Sequence, residues 1–154
     1  MARLGIGTKA PAFTLQNQGG RPISLKDFAG ERFVLYFYPA DDTPGCTKEA
    51  CQFNDGLAAF RKLSVKVVGV SPDGAEKHVA FRTKYGLKFD LLSDPEKKVM
   101  AKNGAYGEKM MYGKLVTGVI RSTFVVGPTG KIEQAWYGVR ADGHAAKVLS
   151  SLEG

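Results

Sequence analysis

Phe33-Val34-Leu35-Tyr36-Phe37-Tyr38-Pro39-Ala40-Asp41-Asp42-Thr43-Pro44-Gly45-Cys46-Thr47-Lys48-Glu49-Ala50-Cys51 is the segment on which the fold turns. It opens with an unbroken apolar and aromatic run, too short for a typical helix. Such a run reads as a strand buried on both faces, in a parallel or mixed sheet. Pro39 ends it, because proline has no N–H to give a sheet ladder. Thr43 suits a helix N-cap and Pro44 the first helical position, where a missing N–H costs nothing. Cys46 therefore falls in the first turn of a helix, where unpaired backbone N–H groups and the helix dipole favour an anion such as a thiolate. Cys51 lies five residues on, roughly 8.6 Å away between Cα atoms in an intact helix. A disulfide needs roughly 4.4–6.8 Å. Either the two cysteines never bond, or the first turns unwind when they do.

Upstream, Ala10–Leu15 and Arg21–Leu25 read as short strands around the Asn17-Gln18-Gly19-Gly20 turn, an N-terminal hairpin. Ser24–Phe28 reads as one helical turn closed by Gly30. Downstream, Phe53, Leu57, Phe60 and Leu63 recur at helical spacing, so the cysteine helix is expected to run to about Lys62, with Gly56 a cost or a bend. Val65–Val70 is a strand, and Ala75–Tyr85 a helix with Val79 and Phe81 as its apolar positions and Gly86 as its C-cap. Phe89–Ser93 is a short strand, and Asp94-Pro95 opens a helix to about Lys102. Gly104–Gly118 is rich in glycine and methionine and reads as irregular. Val119–Val126 reads as a buried strand that carries Arg121, paired through the Pro128-Thr129-Gly130 turn with Lys131–Tyr137. A last helix runs from about His144 to Leu152. Alternating strands and helices with a closing hairpin predict an α/β sandwich in a single domain over residues 1–154.

The chain of 154 residues carries a net charge of +7. Its Lys and Arg are scattered among acids, with no dense basic run, so nucleic acid is not expected as a partner. No apolar run is long enough to span a bilayer. Met1–Gly7 lacks the apolar core of a secretion signal, so the cytoplasm is the expected location. Two cysteines are too few for a stapled secreted framework and point to catalysis or metal binding. His78 and His144 have no partner at metal-ligand spacing and read as surface residues, so neither metal nor other cofactor is expected. Trp136 reads as a packing residue. An arginine in an apolar strand must reach an anion or water, because a buried unpaired charge is very costly. Arg121 is thus a candidate partner for an anionic site.

Pro39-Ala40-Asp41-Asp42-Thr43-Pro44-Gly45-Cys46 resembles the Pro-x-x-x-Thr-x-x-Cys signature of peroxiredoxins. Its extension to Cys51 resembles the peroxiredoxin Q group, also called bacterioferritin comigratory protein. Ser24-Leu25-Lys26-Asp27-Phe28 and Arg121-Ser122-Thr123-Phe124 match the same family. The resemblance covers most of the chain and implies a thioredoxin-like fold, a central mixed sheet flanked by helices. It also implies a thiol-dependent peroxidase of the atypical 2-Cys type, acting on hydrogen peroxide and alkyl hydroperoxides. Cys46 would be the peroxidatic cysteine and Cys51 the resolving one, joined in an intramolecular disulfide. Thr43 would contact thiolate and peroxide, Pro39 shield the thiolate from water, and Arg121 stabilise thiolate and leaving oxygen. Glu49 either orients Arg121 or supports the helix through solvent. Thioredoxin or a glutaredoxin-like protein would recycle a monomeric enzyme. A rival reading, a thioredoxin-like thiol–disulfide oxidoreductase, predicts Cys-x-x-Cys, whereas the spacing here is Cys-x-x-x-x-Cys. A second rival, a binding module with incidental cysteines, predicts no peroxide consumption.

Overall fold

A computed structural model describes residues 3–153. In chain order it contains β1 (Thr14–Asn17), β2 (Pro22–Ser24), a 3-10 turn (Leu25–Phe28), β3 (Arg32–Phe37), α1 (Pro44–Asp55), α2 (Leu57–Lys62) and β4 (Val65–Ser71). There follow α3 (Ala75–Tyr85), β5 (Asp90–Ser93), α4 (Lys98–Lys102), β6 (Tyr106–Met111), β7 (Lys114–Val119), β8 (Ser122–Val126), β9 (Ile132–Tyr137) and α5 (His144–Glu153). One mixed sheet runs in the order β2-β1-β5-β4-β3-β8-β9, while β6 and β7 pair only with each other. Strands β3, β4 and β5 are parallel, and β8 joins β3 antiparallel with Leu35 opposite Phe124. This is an α/β thioredoxin-like sandwich with an N-terminal hairpin.

β3 is central, and both its faces are buried, which is why its sequence shows no alternation. Val34, Tyr36 and Tyr38 point into a cluster with Cys46, Ala50, Phe53, Phe60, Phe81 and Val148, contributed by α1, α2, α3 and α5. Phe33, Leu35 and Phe37 point into a second cluster with Val70, Leu92, Met100, Phe124 and Ile132. The parallel strands β3 and β4 end together, with Tyr38 N donating to Val70 O at 3.0 Å. In such sheets the crevice beyond the carboxyl ends of the strands is the usual place for chemistry. α1 begins there.

Six expectations change. The cysteine helix breaks at Gly56, whose backbone turns the chain so that α2 starts afresh. The helix expected from Asp94 begins only at Lys98, because the Asp94 carboxylate accepts the Met100 N–H at 2.9 Å and folds Pro95–Lys97 into a turn. Gly104–Gly118 is not irregular. Most of it forms the β6–β7 hairpin, closed by Tyr112 and Gly113 at φ 52° and 77°, the two positive values a tight hairpin turn requires. The strand expected over Val119–Val126 is interrupted, and Arg121 lies in the two-residue link between β7 and β8. On α3, Val79 is exposed and the buried positions are His78 and Phe81. His78 and His144, read from sequence as surface residues, are both buried.

Candidate active site

The site is built where β3 hands the chain to α1. Pro39 is half-buried just beyond the strand, and Thr43 stands at the N-cap in an extended conformation. Its hydroxyl does not cap the helix. It donates instead to the Ala40 carbonyl at 2.9 Å, which fixes the loop, while the Thr43 carbonyl receives the Thr47 N–H at 2.8 Å. Cys46 follows in the first turn, buried against Tyr36, Tyr38 and Phe53 in the helix-side cluster. A carbon added at Gly45 would lie 3.3 Å from Arg121 Nη2, so glycine there leaves the guanidinium its place.

Arg121 arrives from the opposite side, at the head of β8. Its Nη2 donates to Cys46 Sγ at 3.4 Å and its Nη1 to Glu49 Oε1 at 2.6 Å. Glu49 lies one helical turn after Cys46 and is fully buried, so its link to Arg121 is direct rather than through solvent. Burial pushes the Glu49 carboxyl up to about 7, against the pull of Arg121. For Arg121 burial opposes the charge, but Glu49 and Cys46 more than offset it, and the guanidinium stays firmly protonated. The arrangement can hold a sulfur anion beside a fixed cation in a pocket that excludes bulk water. That is the setting in which such a pair counts most.

Cys51 lies on the same unbroken helix and is half-buried; both cysteines are free. Burial, then the nearby Asp55, raises the Cys51 thiol above its ordinary range, so it keeps its proton. Beyond it, α1 is pinned. Gln52 donates to Asp142 Oδ1 at 2.7 Å and accepts the Gly143 N–H at 2.8 Å, while Asn54 bonds Gly86 O and Lys88 N.

Sequence reasoning missed three neighbours of the site. Tyr36 stacks on Phe53 at 4.6 Å, and its hydroxyl is buried without a hydrogen-bond partner. Its ring lies over Gly69, where an added carbon would come within 2.9 Å of it. His144 packs edge-on against Trp136 and Phe53, with Nε2 2.8 Å from Thr123 Oγ1. Burial, then Lys147 and Arg121, lowers it to about 4. His78 holds Asp41 in the loop before Thr43. None of these contacts has a local sequence signal, because each joins residues far apart in the chain.

The AhpC/TSA family model matches residues 6–135. A putative peroxiredoxin of Mycobacterium tuberculosis is 56% identical over 150 residues, covering 97% of this chain and 96% of that protein. Peroxiredoxin Bcp of Bacillus subtilis is 41% identical over 148 residues, covering 96% and 94%. Among solved structures, Xanthomonas campestris peroxiredoxin Q superposes with a TM-score of 0.86 at 42% identity, covering 92% of this chain and 89% of that one. A cysteine-to-serine mutant of Xylella fastidiosa PrxQ superposes with a TM-score of 0.91 at 36% identity, covering 99% and 98%. The chain therefore belongs to the AhpC/TSA family, as a peroxidase of the peroxiredoxin Q and Bcp group.

Proposed function

We propose that Cys46 is the nucleophile that reduces hydrogen peroxide and alkyl hydroperoxides, and that Cys51 resolves it. The observation that carries this reading is the buried Cys46 sulfur in a helix first turn with Arg121 Nη2 at 3.4 Å. The Cys46 thiolate attacks the terminal peroxide oxygen and the O–O bond breaks. With one proton taken up, the products are Cys46–SOH and water or an alcohol. Arg121 faces the charge as it moves from sulfur to the leaving oxygen, and Thr43 and Pro39 line the approach. Cys51–SH then displaces water from the sulfenic acid to give the Cys46–Cys51 disulfide. A dithiol protein, thioredoxin or a glutaredoxin-like one, takes that disulfide in exchange for its own pair of hydrogens. Sulfur carries the electrons, and no bound cofactor enters. One solved relative, the Xanthomonas campestris bacterioferritin comigratory protein, is described as having alkyl peroxide reduction activity, which supports that substrate class here. We also propose that the protein works as a cytoplasmic monomer, in a compartment that keeps both thiols reduced between turnovers.

The test is a single turnover of reduced wild type, Cys46→Ser and Cys51→Ser with stoichiometric hydrogen peroxide, read by intact mass. Wild type loses two hydrogens, Cys51→Ser gains oxygen, and Cys46→Ser stays unchanged. A Cys46→Ser protein that reacts as fast as wild type removes Cys46 from the role.

A further inference from the structure

The link that carries β3 into α1 holds two consecutive acids, and both are fastened to α3. Asp41 accepts the Tyr38 hydroxyl at Oδ1, 2.5 Å away, and its Oδ2 lies 2.5 Å from His78 Nδ1. Its backbone N–H donates to Asp73 Oδ2 at 2.7 Å, an oxygen that also takes the Ser71 hydroxyl at 2.8 Å. The other ring nitrogen, His78 Nε2, is 3.0 Å from the Leu92 carbonyl. A carbonyl has no hydrogen to give, so Nε2 carries one and donates it, and a single further proton lies between Nδ1 and the Asp41 carboxylate. The two side chains are 0% and 3% exposed. Water cannot replace either partner there, so breaking the bond costs far more than breaking a surface pair. Asp42, next in the chain, holds a left-handed φ of 56°, a region that Asp enters more readily than most non-glycine residues. Its carboxylate receives the Tyr85 hydroxyl at 2.6 Å and Lys84 Nζ at 2.9 Å, both from the end of α3.

These contacts sit at one boundary of the segment that has to move. The Cys46 sulfur meets Arg121 only while α1 is whole, and it reaches Cys51 only when the first turns open. On the far side, Gln52, Phe53 and Asn54 keep the rest of α1 in place. The near side is Asp41–Asp42. We propose that the Asp41–His78 bond, backed by Asp42 with Tyr85 and Lys84, is a clasp that sets how readily the first turns of α1 open. His78 and Asp41 are then positioning residues that divide the Cys46 sulfenic acid between two fates. This rests on the peroxidase reading above. In one fate Cys46–SOH and Cys51–SH give the disulfide and water. In the other, Cys46–SO⁻ and a second ROOH give Cys46–SO₂⁻ and ROH, the sulfur being oxidised and the peroxide reduced. A tight clasp favours the second fate under excess peroxide, and a loose one the first.

The experiment treats reduced wild type, His78→Leu, His78→Asn and the double variant Lys84→Met with Tyr85→Phe with a graded excess of hydrogen peroxide. Intact mass then reads disulfide against sulfinic acid. His78→Leu raises the peroxide concentration that gives half sulfinic acid roughly tenfold, the scale of one charge-assisted hydrogen bond. His78→Asn, whose amide can donate from the position of Nδ1, falls between His78→Leu and wild type. The double variant removes the exposed Lys84 ammonium and the Tyr85 hydroxyl, keeps the half-buried Tyr85 ring against Phe81, and shifts the same ratio in the same direction. Ile132→Val, a core change on the opposite face of the sheet, lowers the melting temperature and leaves the ratio at its wild-type value. A wild-type ratio in both His78→Leu and the double variant overturns the clasp alone. A wild type that forms no disulfide overturns the peroxidase reading and the clasp with it.

Discussion

Arg121 touches both the sulfur and Glu49, so it is the residue whose loss separates charge stabilisation from mere packing. Arg121→Gln keeps hydrogen-bonding capacity but removes the fixed charge. The second-order rate constant with hydrogen peroxide, followed by stopped flow, is expected to fall roughly 10²–10³-fold, the usual cost of one preorganised donor. A fall of less than threefold would mean that the guanidinium is structural. Tyr36 poses the reverse case. Its hydroxyl is buried without a partner, and a buried polar group left unbonded costs about 1–3 kcal/mol. Tyr36→Phe removes that burden without changing the ring, so urea unfolding should show a gain of about 1 kcal/mol; a loss would place an unseen partner on the hydroxyl. Gly69→Ala drives a carbon into the same ring, 2.9 Å from Tyr36 Cζ, and overpacking of this kind costs about 1–3 kcal/mol.

At the scale of elements, α1 is one rigid helix with two unlike halves. From Gln52 onward it is tied to Asp142, Gly143, Gly86 and Lys88, and Phe53 is fully buried. If Cys46 bonds Cys51, the turns between them give way and the pinned half stays. Oxidation with one equivalent of peroxide should therefore abolish hydrogen-exchange protection over residues 47–50 and keep it at Gly56, whose N–H bonds Gln52 O in the pinned half. Equal protection of 47–50 in both redox states would rule out unwinding. β3 and the start of α1 were legible in the sequence because their signals are local: an apolar run, a proline stop, a threonine–proline start. The β6–β7 hairpin was not, because it stands in solvent away from the sheet, with Met110, Tyr112 and Leu115 exposed and no alternation to read. The strand assigned across Arg121 failed for a related reason. Apolar residues continue through Val119 and Ile120, while the chain changes sheets at the arginine. The histidines were misread because their partners, Asp41 and Thr123, are distant in sequence. Burial through a long-range hydrogen bond leaves no mark at neighbouring positions.

The molecule as a whole places two displaced titrating groups on the same side of its sheet, and they act against each other. Glu49 is raised from 4.5 to about 7 by burial. The folded state therefore holds its proton more tightly than the unfolded chain, and the resulting stability is complete below pH 4.5 and lost as pH rises toward 7. His144 is lowered from 6.5 to about 4, by burial first and then by Lys147 and Arg121. Its stability is complete above pH 6.5 and lost as pH falls toward 4. Each displacement corresponds to about 3 kcal/mol at full extent. Between pH 4.5 and 6.5 the two slopes are opposite and nearly equal, so these groups together leave wild-type stability flat there. Glu49→Gln removes one slope. Its unfolding free energy, measured in urea at intervals from pH 4 to pH 8, should climb by about 3 kcal/mol up to pH 6.5 and then level. His144→Gln removes the other, and its stability should fall over pH 4.5–7 instead. Parallel curves for wild type and Glu49→Gln would show that Glu49 titrates in the folded protein as in the unfolded chain, ionised at neutral pH, with Arg121 offsetting its burial. The fall in peroxide reactivity of Arg121→Gln would then include the cost of an unpaired carboxylate beside the sulfur.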